Sequence, residues 1–320
     1  MGIIGRRRRH LRKHQARVRI WRATVCLALA AVAWRGLRPA PAALPPSGKA
    51  CAPESGRDAG EPPTMIHVRA LAGGIGPRIA GTASERKGAQ YIVGVMRGFG
   101  YQVRVEGGIP IRGREGTTQD ILATSSRHLG NETLILGAHY DSMIGPGAND
   151  NASGVAVLLD TARLLADHPL AYRLVFAFFG AEEVHHEGSW WLVRAGRLGQ
   201  VKGMIAVDMI GLGDRLYLNY AAGPNEVGER LRRAAWTIGL DLVKQIDDSH
   251  SDHEAFERAG IPAAWLQRLP DAENHSAGDR VERIRPKYVQ EVVDLVCTCL
   301  MDDERSIFSP DDAPESSTDH

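Results

Sequence analysis

Residues 134–141 read LILGAHYD, and residues 174–183 read LVFAFFGAEE. Each is an unbroken apolar run that stops abruptly at a histidine or an acid. Such runs mark strands covered on both faces, because a half-exposed strand alternates apolar with polar residues. Met204–Val207, ending at Asp208, repeats the pattern, and Ala263–Leu266 leads through a loop to His275. Tyr101–Glu106, Ile121–Thr124 and Leu216–Asn219 complete the strand candidates. Helical periodicity falls between them, at Ser84–Gly98, Ala152–Ala166, Glu187–Ala195, Asn225–Ile238, Asp252–Ala259 and Pro286–Met301. Strands alternating with helices predict an α/β fold, a three-layer αβα sandwich around a largely parallel, doubly wound mixed sheet.

In open α/β sheets, ligands bind beyond the carboxyl ends of the strands. That is where His139, Asp141, Glu182, Glu183, Asp208 and His275 fall, with Asp150 in the turn Gly147–Gly154 just before a helix. Carboxylates crowded together repel one another and raise their own pKa values. Divalent cations relieve that repulsion, and mixed His/Asp/Glu donors suit zinc, with cobalt or manganese open.

The segments GAHYDS (137–142), GANDNASG (147–154), FFGAEE (178–183), VDMIG (207–211), SDHEAF (251–256) and HSAGD (275–279) stand in an order that resembles the M28 family of co-catalytic dizinc aminopeptidases. Ile75-Gly-Pro-Arg78 with Gly81-Thr82 resembles the family's N-terminal helix–turn region, so the likeness covers about residues 64–300. It implies two zinc ions per chain. Asp150 would bridge them, His139 and Asp208 completing one set and Glu183 and His275 the other. Glu182 would be the general base, and Asp141 would orient His139 and fix its tautomer. The implied activity is hydrolysis of the N-terminal peptide bond by a metal-bridging water, on peptides whose free α-amine the metal centre engages.

Several residues have plainer readings. His253 fits a supporting role in the fold or pocket, and His185 and His186 read as surface or rim residues. Trp190 and Trp191 read as helix packing rather than substrate contacts, and Asp279 as a cap for local structure. One departure stands out: several relatives carry an aromatic residue before the last histidine, where this chain has Asn274, which leaves the oxyanion partner and the side-chain preference unassigned. Two other functions remain open: a glutaminyl cyclase-like aminoacyltransferase with one working zinc, and a non-catalytic ectodomain. Carboxypeptidase and dipeptidase activities are narrower variants of the first reading.

Composition frames the rest. Of 320 residues, 43% are hydrophobic and 24% charged, which is globular rather than disordered. The net charge of +1 hides an asymmetry: residues 1–43 carry eleven Lys and Arg and no acid, leaving 28 basic against 38 acidic residues in the remainder. An acidic body speaks against nucleic acid as a partner. The basic stretch 6–22, the twelve-residue, mostly apolar run Ala23–Trp34 and Ala40-Pro-Ala42 pattern as a signal peptide, or a signal anchor if uncleaved. The expected organisation is export segment 1–43, linker 44–63, peptidase domain 64–301 and disordered acidic tail 302–320, in a secreted or extracytoplasmic protein. Membrane contact is expected only through an uncleaved anchor. Four cysteines are too few for a disulfide scaffold; a bridge from Cys51 to the C-terminal pair is open, but Cys297 and Cys299 read better as buried thiols.

Overall fold

The computed structural model describes residues 62–302 apart from 129, 222–223 and 246–249. The export segment, Cys26, Cys51, and most of the linker and tail lie outside the described residues. Helix α1 (Pro63–Val68) runs into a wider turn over Arg69–Ile75, and α2 follows (Ala83–Gly98). Then come β1 (Gln102–Pro110), β2 (Thr117–Thr124), β3 (Thr133–His139), α3 (Gly154–Leu165), β4 (Arg173–Phe179), α4 (Glu187–Ala195) and β5 (Val201–Val207). The chain ends with β6 (Arg215–Asn219), α5 (Glu226–Ile238), β7 (Leu242–Gln245), α6 (His253–Arg258), β8 (Ala263–Leu269) and α7 (Pro286–Leu300).

One eight-stranded mixed sheet has the order β1-β2-β4-β3-β5-β8-β6-β7. The four central strands β4, β3, β5 and β8 are parallel, and antiparallel pairing is confined to the β1/β2, β2/β4 and β6/β8 neighbours. The predicted α/β architecture is therefore present, with β7 as an addition. The chain leaves β3 for β4 on one side and returns to β5 on the other, so the switch of direction lies at the ends of β3 and β5.

Alternation along the buried strands divides two cores. Ile135, Val175, Ala177, Phe179, Met204, Ala206, Ala263 and Trp265 pack with Leu192 of α4 and with Ala255 and Phe256 of α6. Leu134, Leu136, Phe176, Phe178, Ile205, Val207 and Leu266 are the alternate, equally buried set. The face of β3, β4 and β5 opposite α4 is met by α3, which packs in turn on α1 and α7. Local signals set the helices. Thr82 caps α2 by accepting from Glu85 N, and α7 opens with Pro286, whose missing N–H no helix bond needs. Cys297 and Cys299 are buried free thiols in α7.

Candidate metal centre

Parallel pairing of β3 with β4 and β5 brings three strand ends to one place. His139 is the last residue of β3, and Tyr140 N continues the ladder by donating to Phe179 O at 3.0 Å. The chain after β4 reverses at Ala181 (φ 53°), which sets Glu182 and Glu183 above the strand end. Asp208 follows β5 directly, its N–H donating to Leu266 O of β8 at 3.0 Å. Asp150 comes in from the turn before α3, and His275 (φ 57°) from the loop after β8.

The side chains converge. His139 Nε2 lies 3.1 Å from Asp150 Oδ1, 3.3 Å from Asp208 Oδ1 and 3.9 Å from Glu182 Oε2. His275 Nε2 lies 3.2 Å from Asp150 Oδ2 and 3.1 Å from Glu183 Oε2. The two oxygens of Asp150 thus face two different histidines. Two triads of donor atoms lie within 4.8 Å of one another, His139–Asp150–Glu183 and His139–Glu182–Asp208. These are not the sets implied by the resemblance: both contain His139, one contains Glu182, and His275 joins through Asp150 and Glu183.

Burial makes this arrangement costly without a counter-charge. It drives Glu182 well above the usual carboxylate range, and Glu183 up to about 7. Burial alone would raise Asp150 too, but its contacts with His139 and His275 outweigh that and lower it. His139 is pushed down by burial, yet Glu182, Asp208, Asp141 and Asp150 hold it well above the usual histidine range. His275, bonded to Asp150 and Glu183, rises to about 10. Glu183 Oε1 is buried without a hydrogen-bond partner among the described residues. Buried carboxylates with an orphaned oxygen and two imidazoles form a donor set that fits zinc.

Neighbouring groups hold the set in place. Asp141 is fully buried; Oδ1 accepts from Glu182 N at 3.1 Å, Oδ2 from Glu183 N at 3.2 Å, and Oδ1 lies 3.4 Å from His139 Nδ1. Asp279 accepts from the amides of Asn149 (2.7 Å) and Asp150 (2.9 Å), so the reading of it as a local cap fits. His253 stacks on Trp265 with burial lowering it to about 4, in keeping with a supporting role.

Sequence reasoning assigned no role to several residues that shape the centre. Arg78, inside the quoted IGPR segment, is fully buried and spends its guanidinium on the carbonyls of Tyr140 (2.7 Å), Leu71, Gly76, Pro146 (2.6 Å) and Gly147 (2.9 Å). Burial lowers it to about 10, so it stays charged. Ser251 donates to Asp208 Oδ2 at 2.8 Å. Asn151 donates to Val207 O and accepts from Gly154 and Met209 amides, tying the Asp150 turn to the end of β5. Gly147 adopts φ 62° where a Cβ would run into Asp150 O and Ser142, so this turn requires glycine.

A cavity of about 590 Å³ opens over the centre, and Met143, Met209, Trp190, Arg194, Gln267 and Asn274 are among the residues that line it. Trp190 therefore does two things, packing on the α4 core and lining the cavity. His186 sits at the rim, as expected, but its Nε2 also lies 3.3 Å from Glu182 Oε1.

Known proteins resemble this chain. Aminopeptidase YwaD of Bacillus subtilis is 35% identical over 178 residues, 51% of this chain and 39% of the relative. The chain spans less than half the length of the curated relatives it matches. Among solved structures, a zinc aminopeptidase from Bacillus subtilis superposes with a TM-score of 0.69 at 23% identity, covering 74% of this chain and 93% of the other. A glutaminyl cyclase from Porphyromonas gingivalis gives 0.65 at 23%, covering 74% and 96%. Both likenesses concern the fold. The family model for peptidase family M28 matches residues 120–300, more than half of the chain and the span of every converging side chain, and the chain belongs to that family.

Proposed function

We propose that the protein is a zinc-dependent aminopeptidase that hydrolyses the N-terminal bond of peptides with a free α-amine. The observation that carries this reading is the posture of Asp150, whose Oδ1 and Oδ2 face His139 and His275 at 3.1 and 3.2 Å. A carboxylate offering one oxygen to each of two donor clusters suits a pair of cations rather than one. His139, Asp150 and Asp208 would hold one zinc, and Asp150, Glu183 and His275 the other. Zinc bound there acts as a Lewis acid on the scissile carbonyl and lowers the pKa of a water.

The chain's own groups do the rest. Glu182 is not needed as a ligand in this division, and burial keeps its carboxylate basic. It takes a proton from the attacking water and returns it to the nitrogen of the departing peptide as the C–N bond breaks. Asp141 aligns the imidazole of His139 and, by accepting hydrogen bonds from two backbone N–H groups, the backbone that carries Glu182 and Glu183. Arg78 carries a buried positive charge behind the acids and fixes the loop leading to Asp150. Export by the basic-apolar segment within residues 1–43 belongs to the same proposal; among the described residues no helix is long and apolar enough to cross a membrane.

Elemental analysis with leucine p-nitroanilide hydrolysis before and after chelation tests this. Two zinc ions per chain and chelator-sensitive release are expected. Glu182→Gln should retain zinc and fold while turnover falls by about 10²- to 10⁴-fold. One zinc, with a pyroglutamyl product from an N-terminal glutamine peptide, would replace the reading with a cyclase, and absence of metal would replace it with a binding module.

A further inference from the structure

Two consecutive histidines follow the glutamates, both in left-handed backbone: His185 at φ 66° and His186 at φ 55°. Non-glycine residues rarely adopt this region, and stay in it only where their surroundings hold them there. At His186 they do. Its N–H donates to Glu182 O at 2.8 Å, and its carbonyl accepts from Ser189 Oγ and Trp190 N, each at 3.1 Å. The residue precedes the first turn of α4, and these bonds swing the imidazole back over the strand end. Nε2 then lies 3.3 Å from Glu182 Oε1, while Nδ1 lies 3.6 Å from Glu254 Oε2. Glu254 is itself ion-paired to Arg258 and 3.8 Å from His250 Nδ1. The other oxygen of Glu182, Oε2, is the one turned toward His139.

We propose that His186 is a positioning residue for Glu182: its Nε2, 3.3 Å from Oε1, turns the nitrogen edge of the ring on that oxygen and so holds Oε2 toward the centre, where the reacting water must sit. This rests on the assignment of Glu182 as the base in the aminopeptidase reading. Nothing about the i+4 spacing alone requires it. An ordinary helical i+4 neighbour would project to the same side, but here the chain has not yet entered α4, and the left-handed turn is what brings the ring into reach. A neutral ring suffices, and burial lowers the His186 pKa in that direction.

The test compares zinc-loaded wild type, His186→Leu and His186→Gln by crystallography and by hydrolysis of leucine p-nitroanilide. Glutamine can present an N–H near Nε2, and leucine cannot. In the leucine variant the Glu182 carboxylate should rotate away from its wild-type position, with kcat about 10- to 100-fold lower and KM, zinc content and melting temperature unchanged. The glutamine variant should keep the carboxylate in place and kcat within about 3-fold of wild type. An unmoved Glu182 in the leucine variant overturns the proposal, as does a glutamine variant that falls as far as leucine. If the wild type cleaves no aminoacyl substrate while Glu182 still rotates in the leucine variant, positioning stands and the aminopeptidase reading fails.

Discussion

Replacing Asp141 with asparagine changes the chemistry of one atom and no volume, so its consequences are electrostatic. Asp141 accepts from Glu182 N at 3.1 Å and Glu183 N at 3.2 Å, and lies 3.4 Å from His139 Nδ1. Asparagine keeps one carbonyl oxygen and turns its NH₂ toward one of the two amides, donor against donor. The lost charge-assisted bond is worth about 1.5–3 kcal/mol, and the orphaned amide about 1–3 kcal/mol more. An opposing effect exists: Asp141 is among the charges that raise Glu85, Glu183 and Asp252, and its removal relieves them. Repulsion between unit charges at an effective dielectric of about 20 is on the order of 4 kcal/mol at about 4 Å and halves as the separation doubles, so the relief is comparable with the loss.

In the metal-free protein these two effects nearly offset. Once cations neutralise the carboxylates, the relief disappears and the misaligned donors remain, at about 10- to 100-fold in metal affinity. The melting temperature with saturating zinc should therefore fall by about 4–10 °C, and by much less in chelator, at about 2–4 °C per kcal/mol for a domain of this size. Calorimetry under both conditions, with a competition titration for zinc, measures each quantity. Equal shifts in zinc and in chelator, or an unchanged zinc affinity, would show that Asp141 does not act through the metal donors.

Three further outcomes follow from the same geometry. Zinc must displace protons from Glu183, raised by burial to about 7, and from His275, raised by its contacts with Asp150 and Glu183 to about 10. Affinity should accordingly tighten as pH rises through 7 toward 10, and calorimetry in buffers of different ionisation heat should register proton release near pH 7; none would contradict it. Gly154→Ala would gain about 1 kcal/mol of helix propensity, but its Cβ would press on the Val207 carbonyl and the Asn151 amide. Overpacking of about 1–3 kcal/mol outweighs that gain, so the denaturation midpoint should drop rather than rise. Arg78→Met strips hydrogen bonds from five carbonyls. At about 1–3 kcal/mol for each that stays buried, the loss rivals the whole stability of about 5–15 kcal/mol, so cooperative unfolding should vanish; a variant melting like wild type would refute this.

How far residues can be read without coordinates depends on whether their partners are near in the chain. Strands β3 and β4 were legible because burial on both faces writes itself into every residue of LILGA and LVFAFF. The acids and histidines after them were legible because a strand end converts chain position into spatial position. Strand β7 leaves no such mark: its four residues LVKQ pair on one side only and are half-exposed, so neither alternation nor an apolar run distinguishes them. The start of α1 at Pro63 reads as the end of a proline-rich linker for a related reason, since Pro62-Pro63 signals a break and a helix start alike.

Arg78 and His186 were illegible for different reasons. The carbonyls that hold Arg78 belong partly to residues 62 to 69 positions away, and a backbone oxygen has no side-chain identity to betray the pairing. His186 reaches Glu182 only through a left-handed turn, a conformation for which its residue type carries no preference. The Gly147–Gly154 turn lies between these extremes. A turn of that length needs one or two polar residues, yet this one carries Asn149, Asp150, Asn151 and Ser153, all buried. Asn149 accepts from Gly211 N, Asn151 donates to Val207 O at the end of β5 and accepts from Met209 N just beyond it, and Ser153 donates to Asn149 O and accepts from Ile210 N. Only Asp150 among them offers its carboxylate to the centre. Four polar side chains buried within the five residues Asn149–Ser153 cannot be there for solvent, so the excess itself marks a loop in which three side chains hold the backbone that aims Asp150.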